Sequence, residues 1–441
     1  MKYLNRILTA MAISVGFLAV SCEDQPDAFV PTEGVPSVDF IRYADRDVVI
    51  DAAYMQEIVC IVGQNLRSIN QLWFNDQQAV LNTSFMTENT LVVSVPKELP
   101  KVQTDKIYMI TAAQDTVTYD FKVLLPAPQL KSMSCEYQPQ GEEVTVYGNY
   151  FKEPMTIEFS NAVTVTSFKS VSMTEATFTI PDDAAPGKIK ITTESGTAQS
   201  PFEYFDNRGM LFDFDDDGDA ALVTNDDNCW HKRAFYTEGG IDGRYLQLGD
   251  GTSTITDESW SDGLYAFEYW CGSWDTPQNI TSGRGPALFN LVDFTDYATM
   301  ALKFEMFIPS SNPWMTCAMQ IAFQPISQVT VSGYEVAGYD KVGAANAHAF
   351  NNEKNDLGSW ARAMYRPWEA TGSYDTDDKW VTVTIPISDF TYNKDGGAAT
   401  MMMSSADDFA SLTMFVLGGG VSGSECAPII KIDNIRAVPV K

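Results

Sequence analysis

The residues of this chain best suited to bind a ligand are five tryptophans in polar loops. They are Trp270, Trp274, Trp314, Trp360 and Trp368. Each lies in surroundings rich in Gly, Ser, Asn or Pro, which mark loops and strand ends rather than strand centres. Clustered aromatic rings exposed in such places usually form binding surfaces. Because a flat indole fits the C–H groups of a pyranose face, the pattern predicts a platform for a neutral polysaccharide, with Tyr365 and Arg362 beside it.

Core packing is the alternative for each of these five tryptophans, since aromatic side chains also dominate hydrophobic cores. Two other tryptophans are predicted to be core residues. Trp380 opens the alternating run 380–385, and Trp73 lies in a strand-like run of the first third of the chain. Alternation of apolar and polar residues is typical of a half-buried strand.

Catalysis is limited by the supply of histidine. A Ser-His-Asp or Cys-His site would have to use His231 or His348, and neither lies near a nucleophile motif. A zinc site lacks imidazole ligands at usable spacing. The sequence therefore predicts a protein without catalytic residues and without a cofactor. A glycosidase or lyase remains the alternative, because glycoside cleavage needs only two carboxylates and the chain holds 58 Asp and Glu residues.

One acidic run imitates the start of a calcium-binding loop. Asp213, Asp215, Asp217 and Gly218 have the spacing of an EF-hand, but its twelfth position is Thr224 and not the bidentate Glu that the motif requires. We expect an acidic turn after a strand and predict no metal site. A structural calcium in this region is the alternative.

Charge and the N-terminus restrict partner and location. A formal charge of -29 opposes binding to nucleic acid or anionic headgroups, and it does not penalise a neutral ligand.

Residues 1–21 are typical of a signal peptide, with an apolar stretch of about 14 residues, shorter than the ~20 of a membrane-spanning helix. Small residues directly before Cys22 resemble a lipobox, which predicts Cys22 as a lipidated N-terminus, followed by a flexible tether over 22–36. Ordinary secretion with an incidental thiol is the alternative.

The remaining cysteines are predicted to be buried free thiols. They are Cys60, Cys135, Cys229, Cys271, Cys317 and Cys426. Most lie within apolar strand-like runs, and isolated cysteines are among the most buried residues. An even number in an exported chain leaves disulfides as the alternative.

The elements that position all these residues are short strands, and no long segment has helical periodicity. Three segments of residues 37–126 recur in the same order in residues 127–205, which predicts two immunoglobulin-like sandwiches. The matched pairs are 57–66 with 143–151, 71–75 with 155–161, and 91–96 with 176–181. Residues 206–441, with eight of the nine tryptophans, are predicted to form one larger jelly-roll-like sandwich. The predicted fold class is all-β.

The repeated motif resembles the IPT/TIG family: a strand ending in Gly-x-Asn/Tyr-Phe/Leu, a hydrophobic-x-Phe strand, and a strand closed by Ile/Val-Pro. The chain combines a lipobox, two such modules and a Trp-rich terminal β-domain. In this order of parts it resembles the surface glycan-binding proteins of Bacteroidetes polysaccharide-utilisation loci. The terminal stretches that carry this resemblance are FIPSSNPW (307–314), WVTVTIPISDF (380–390) and KIDNIR (431–436).

The resemblance implies a non-catalytic, lipid-anchored protein of the outer-membrane surface that captures a glycan, with the β-glucan class favoured, for uptake. It implies that the two small modules act as a stalk. A SusD-like protein and a TonB-dependent transporter are its implied partners. A structural adhesin or fimbrial component, which would bind protein subunits and not sugars, is the other alternative.

Overall fold

The protein is all-β, as predicted from the pattern of short strands. A computed structural model describes residues 29–215, 235–259, 264–269, 286–324 and 359–440. Within these ranges the chain forms 28 strands, and its helical segments are three-residue 3-10 turns. No helix among the described residues is long and apolar enough to cross a membrane. Cys22 and the predicted signal peptide lie outside the described ranges.

The chain divides into two compact units, Met1–Pro126 and Ala127–Lys441. The first unit contains two four-stranded antiparallel sheets, in the orders β2-β1-β4-β7 and β6-β5-β8-β9, and a parallel pair of β3 with β10. Its strands are β1 Ser37–Tyr43, β2 Val49–Ile50, β3 Ala52–Tyr54, β4 Ile58–Gln64, β5 Ile69–Phe74, β6 Gln77–Ala79, β7 Thr90–Ser94, β8 Lys106–Thr111, β9 Thr116–Asp120 and β10 Lys122–Leu124. Alternation decides which side chains are buried, so Ile107 and Met109 of β8 lie in the core between partly exposed neighbours.

The second unit begins with a small sandwich of the same kind. Its sheets have the orders β11-β12-β16-β15 and β14-β13-β17-β18. The strands are β11 Gln129–Met133, β12 Glu143–Asn149, β13 Met155–Glu158, β14 Thr164–Val165, β15 Ser170–Val171, β16 Glu175–Thr179, β17 Gly187–Thr193 and β18 Gly196–Tyr204. Val146, Ile157 and Phe178 lie in its core, each on the inward side of an alternating strand.

A larger sandwich completes the second unit. One sheet has the order β20-β21-β28-β23-β26, with β19 also paired to β28, and the other has the order β22-β27-β24-β25. The strands are β19 Met210–Phe212, β20 Phe235–Tyr236, β21 Tyr245–Leu248, β22 Ala266–Tyr269, β23 Met300–Phe307, β24 Ala318–Gln324, β25 Ala363–Tyr365, β26 Val381–Pro386, β27 Ser411–Leu417 and β28 Ile430–Pro439. Their inward side chains form one core that includes Phe304, Ile321, Met414 and Ile432.

A buried ionic cluster joins the small sandwich of the second unit to the larger one. Glu136, which follows β11, accepts hydrogen bonds from Lys303 Nζ at 2.5 Å and from Arg436 Nη2 at 2.8 Å. Arg436 Nη1 donates to Glu305 Oε2 at 2.7 Å. Although burial opposes its charge, the carboxylates of Glu305 and Glu136 raise the pKa of Arg436, so the guanidinium stays charged. Two carboxylates therefore neutralise two cations inside the protein.

The backbone reinforces this junction. Glu136 N donates to Thr382 Oγ1 at 2.6 Å, and Thr382 N donates to Ser134 O at 2.9 Å. The Tyr137 hydroxyl donates to Asp206 O at 2.8 Å. Because these bonds tie β26 to the segment after β11, the two sandwiches of this unit pack as neighbours through hydrogen-bonded polar groups, with Arg436 Nε left without an acceptor among the described residues.

The prediction of buried free thiols is confirmed for Cys60, Cys135, Cys317 and Cys426. Burial raises the pKa of Cys317 to about 11, so this thiol stays protonated and packs as an apolar side chain. Cys229 and Cys271 lie outside the described residues.

Candidate functional site

Three tryptophans that were expected to form an exposed platform are core residues. Trp314, Trp360 and Trp368 are 0%, 5% and 3% exposed. Each indole N–H donates to a backbone carbonyl: Trp314 to Thr316 O at 2.5 Å, Trp360 to Phe323 O at 2.7 Å and Trp368 to Cys317 O at 2.7 Å. These bonds remove the cost of burying the polar end of the indole. The platform prediction is therefore wrong for these three residues.

Of four other tryptophans, two lie outside the described residues and two are partly exposed. Trp270 and Trp274 lie outside the described residues. Trp380, predicted to be core, is partly exposed: its N–H donates to Gly239 O at 3.2 Å, and its ring lies 5.7 Å from the rings of Tyr245 and Phe307. Trp73 is also partly exposed, on the outward side of β5.

On the sheet β22-β27-β24-β25, the side that faces away from the core carries polar side chains among Ala266, Ala318, Ala322 and Phe415. On β22, β24 and β27 the inward residues belong to the core, and the residues between them point to the opposite side. We call the following set the polar face: Glu268, Gln320, Gln324, Arg362 and Thr413. All five are buried, with exposures of 3%, 2%, 2%, 2% and 1%. Buried polar groups on the outer side of a sheet require hydrogen-bonding partners.

Beside the carboxylate of Glu268, the polar face contains two amides and a hydroxyl that are hydrogen-bonded to one another, to the backbone or to the Arg362 guanidinium. Arg362 Nη1 donates to Gln320 Oε1 at 2.9 Å, and Gln320 Nε2 donates to the backbone oxygens of Lys394 and Leu417. Gln324 Nε2 donates to Thr413 Oγ1 at 3.1 Å. Within the part of the chain that the structure describes, Gln324 Oε1 is buried and has no hydrogen-bond donor. Burial lowers the pKa of Arg362 to about 10, above neutral pH, so this side chain remains a charged donor.

A cleft of about 380 Å³ opens where β25 and β26, the edge strands of the two sheets, lie opposite each other. We call it the edge cleft. Its lining residues are Ala363, Met364, Tyr365, Thr384, Ile385, Pro386, Ser388, Asp389, Thr391 and Tyr392. Tyr365 was a predicted site residue, and its hydroxyl is hydrogen-bonded to Tyr374. Burial raises the pKa of the Tyr365 hydroxyl, which therefore stays protonated.

The edge cleft and the polar face adjoin. Arg362 N donates to Tyr392 O at 3.0 Å, and Tyr392 N donates to Arg362 O at 3.1 Å. The Arg366 guanidinium lies 5.8 Å from the centre of the Tyr392 ring and steadies it by a cation–π contact. Amides, hydroxyls and two tyrosine rings thus lie near one another, together with the charged side chains of Glu268, Arg362 and Asp389. Amide and hydroxyl groups suit a neutral ligand with many hydroxyl groups, since they donate and accept without demanding a charge.

Comparison with known proteins agrees with this chemistry. Residues 204–439 match the family model described as the surface glycan-binding protein B xyloglucan binding domain. The chain belongs to the surface glycan-binding protein B family. The family and its structural relatives are surface glycan-binding proteins and not enzymes, which agrees with the prediction of a non-catalytic protein. The resemblance proposed from the sequence is confirmed.

Several relatives of this surface glycan-binding protein B chain are known. The crystal structure of PbSGBP-B from Prevotella bryantii is 42% identical, covers 93% of this chain and 100% of its own, and superposes with a TM-score of 0.76. An SGBP-B from a complex xyloglucan utilisation locus of Bacteroides uniformis is 15% identical, covers 92% of this chain and 100% of its own, and has a TM-score of 0.43.

A curated relative, an IPT/TIG domain-containing protein of Bacteroides ovatus, is 27% identical over 171 residues, which is 36% of this chain. The chain spans about a third of the length of that relative, 34%. The IPT/TIG resemblance read from the repeated motif therefore has a counterpart among known proteins.

Carboxylates of the acidic run after β19 accept hydrogen bonds from backbone N–H groups. Asp213 Oδ1 accepts from Asp215 N at 3.1 Å, and Asp215 Oδ1 accepts from Arg244 N at 2.7 Å. A Cβ at Gly243 would lie 2.1 Å from Asp215 Oδ2, so a larger residue there would displace the Asp215 carboxylate. Among the described residues, no group of three or more His, Cys, Asp or Glu side chains could hold a metal ion. Asp217 and Gly218 lie outside the described ranges.

Asp433 carries a testable pH dependence. Burial, and then the neighbouring carboxylate of Asp242, raise its pKa to about 10 from an ordinary value of 3.8, and Glu305 and Asp215 also face it. The folded state therefore binds more protons than the unfolded state between these two values, and the stability from this group falls as the pH rises through that window. We expect Asp433→Asn to make the fall of unfolding free energy between pH 5 and 9 shallower, by up to about 1.4 kcal/mol per pH unit. Urea unfolding at several pH values measures both slopes, and equal slopes would contradict a protonated Asp433.

Sequence reasoning missed most of the site. Gln320, Gln324, Thr413 and Tyr392 had no predicted role, and Asp389 belongs to the stretch 380–390 that carried the family resemblance. The period-two pattern of β24, with Gln320 and Gln324 between apolar residues, was the available signal. In the described part of the chain, Arg362 and Tyr365 are the predicted site residues that lie in this region of the surface glycan-binding protein B fold.

Proposed function

We propose that this protein captures a neutral polysaccharide of the β-glucan class at the cell surface, through the polar face and the edge cleft of its terminal domain. One observation carries the proposal: the buried acceptor Gln324 Oε1 has no donor among the described residues, on a face whose amide and hydroxyl groups lie beside the charged side chains of Glu268 and Arg362. An unsatisfied buried acceptor costs about 1–3 kcal/mol, so Gln324 is the position of the polar face at which a further hydrogen-bond donor would gain most.

The arrangement offers each kind of contact that a sugar needs. Gln324, Thr413 and Gln320 supply amide and hydroxyl groups, and Arg362 supplies a charged donor that strengthens a hydrogen bond to a hydroxyl oxygen. In the edge cleft, the partly exposed ring of Tyr392 offers a flat apolar surface beside the hydroxyl groups of Ser388 and Thr391. Family membership supports a glucan with β-linkages, because the matching domain is named for xyloglucan.

Trp270 and Trp274 stay in the proposal as aromatic contacts. Trp270 follows Tyr269, the last residue of β22, and Glu268 of the polar face precedes it by two positions. The Tyr269 hydroxyl donates to Pro286 O at 2.8 Å, so the described residues that flank the segment 270–285 meet beside the same sheet. Both tryptophans are thus linked in sequence to the strand that carries the polar face.

The proposal extends to location and partners. The segment 1–22 supports export, lipidation at Cys22 and attachment to the outer membrane, with the modules 37–126 and 127–205 between the anchor and the terminal domain 206–441. Delivery to a SusD-like protein and a TonB-dependent transporter follows from the family resemblance. Many anchored copies acting on one polymer would convert modest single-site affinity into retention.

Gln324→Leu tests the site directly. The variant keeps the approximate volume of the side chain and removes the acceptor, so we expect binding of soluble xyloglucan to weaken about five-fold, the equivalent of about 1 kcal/mol for one hydrogen bond. Affinity electrophoresis of the mature chain in gels containing xyloglucan or mixed-linkage β-glucan measures the retention, with an α-glucan gel as the specificity control.

The matched control is Gln247→Leu, since Gln247 lies on the other sheet of the same domain and donates only locally, to Gly249 O among the described residues. Unchanged retention of Gln324→Leu at an unchanged melting temperature would remove the polar face from the proposal. Absence of retention of the wild-type chain in every gel would remove the glucan class.

A further inference from the structure

The first unit carries an aromatic surface on the outward side of its sheet β6-β5-β8-β9. Register places Trp73 of β5 directly opposite Tyr108 of β8, and Gln78 of β6 and Thr118 of β9 continue the same row. The neighbouring row pairs Gln71 with Ile110. We call these six residues the Trp73 face: Gln71, Trp73, Gln78, Tyr108, Ile110 and Thr118.

The orientation of this face follows from burial. Leu72 and Phe74, the neighbours of Trp73 along β5, are 0% and 1% exposed, and Ile107 and Met109 on either side of Tyr108 are both 0% exposed. Since successive side chains of a strand point to opposite sides, Trp73 and Tyr108 must lie on the outer side, where both are partly exposed. The sequence prediction that Trp73 is a core residue is wrong for this reason.

We propose that the Trp73 face is a second binding site for a neutral polysaccharide, separate from the terminal domain. Two aromatic side chains directly opposite each other on adjacent strands have their Cβ atoms about 5 Å apart, so one ligand can reach both rings. The Trp73 indole N–H donates to Gln71 Oε1 at 3.1 Å, which fixes the ring on the sheet and satisfies its polar end. The indole face is thereby left to stack on the C–H side of a sugar ring.

The charge of the Trp73 face selects the ligand. Its six members are neutral, and amide or hydroxyl groups border both rings. Two charged residues of the same strands, Lys106 and Asp120, are paired with each other across β8 and β9. A charged peptide, a nucleic acid or an anionic headgroup would find no complementary charge here, whereas sugar hydroxyls can exchange hydrogen bonds with Gln71, Gln78 and Thr118.

A second site on the same chain has a physical consequence. Two weak sites that engage one polymer raise its effective concentration at each, so joint retention exceeds that of either site alone. The ligand class assigned to the Trp73 face rests on the proposed function, but the face itself is located on β5 and β8 independently of the terminal domain. The two sites can therefore be tested separately in one chain.

The direct test follows the Trp73 indole resonance of the full mature chain by two-dimensional ¹H–¹⁵N NMR during titration with xyloglucan oligosaccharides. Trp73→Phe assigns the resonance by its disappearance. We expect a saturable shift of this resonance. A shift of other indole resonances while that of Trp73 stays fixed would overturn the second site and leave the terminal site intact. A shift of Trp73 alone would support the second site and remove Trp270 and Trp274 from the terminal one, and no shift of the Trp73 resonance with any β-glucan would overturn the second site.

Retention supplies the second measurement. In a xyloglucan gel, the double variant Trp73→Ala/Tyr108→Ala should be retarded several-fold less than the wild type. The same two substitutions should reduce retardation by the same factor when they are added to Gln324→Leu. The matched control is Tyr147→Ala, because Tyr147 is a 37% exposed tyrosine on an outward strand position of the second module. Retention of the double variant equal to that of the wild type would contradict the proposal, as would equal losses in the Tyr147→Ala control.

Discussion

Glu136→Ala should destabilise the second unit more than any surface substitution, by about 3–5 kcal/mol, the range for removing one partner of a buried ion pair. The reason is the stoichiometry of the cluster. Glu136 accepts from both Lys303 and Arg436, whose side chains are 6% and 0% exposed, so its loss leaves two buried cations with one carboxylate. Chemical unfolding followed by circular dichroism, with the transition of the first unit as internal reference, measures the loss.

The matched control is Glu143→Ala in the same small sandwich. Glu143 pairs with Lys169 at 2.7 Å, and their side chains are 48% and 64% exposed. Exposed pairs contribute about 0–1 kcal/mol, so this substitution should change stability little. Equal effects of the two substitutions would mean that the Glu136 cluster is solvated in solution.

Glu136→Ala should also loosen the contact between the two sandwiches of this unit. The Glu136 backbone is bonded to Thr382 of β26, and Tyr137 stacks near the Arg436 guanidinium, 4.9 Å from its ring. A protease that cuts exposed loops should therefore attack residues 203–210 faster in the variant. Thr382 and Arg436 belong to strands of the terminal domain, so the ionic cluster holds the domain that carries the polar face against its neighbour.

Much of the fold could be predicted because alternation is a local property. The strands β12 and β16 show buried and exposed residues in turn, and the repeat of these strands earlier in the chain identified the second small sandwich. Cys60 and Cys317 were predicted as buried thiols from the apolar runs in which they lie. These inferences need only the neighbours of a residue in sequence.

The candidate site needed information that sequence neighbours do not hold. Loop composition around Trp314 and Trp368 indicated exposure, but the loops return onto the core and their indoles find carbonyl acceptors at Thr316 and Cys317. Conversely, the polar alternate positions of β24 predict an outward face and do not reveal that Gln320 and Gln324 are buried there. Whether an outward polar residue faces water or a ligand site depends on which elements cover the sheet, and that is a property of the tertiary structure.

Trp314→Ala is the substitution that best separates the corrected assignment from the expected one. The indole is fully buried against Tyr365, with ring centres 6.1 Å apart, and its removal leaves a cavity and the Thr316 carbonyl without its donor. We expect a loss of about 3–5 kcal/mol, the range for a buried aromatic residue replaced by alanine, and a fall in Tm of roughly 10 °C. Trp73→Ala, which removes a partly exposed indole, should lower Tm far less. Differential scanning calorimetry of both variants, with xyloglucan retention measured well below the transition, decides between the two assignments of Trp314. An unchanged Tm with lost retention for Trp314→Ala would return this residue to the binding surface. A large fall in Tm with retention preserved in the folded fraction would place it in the core, beneath the proposed site.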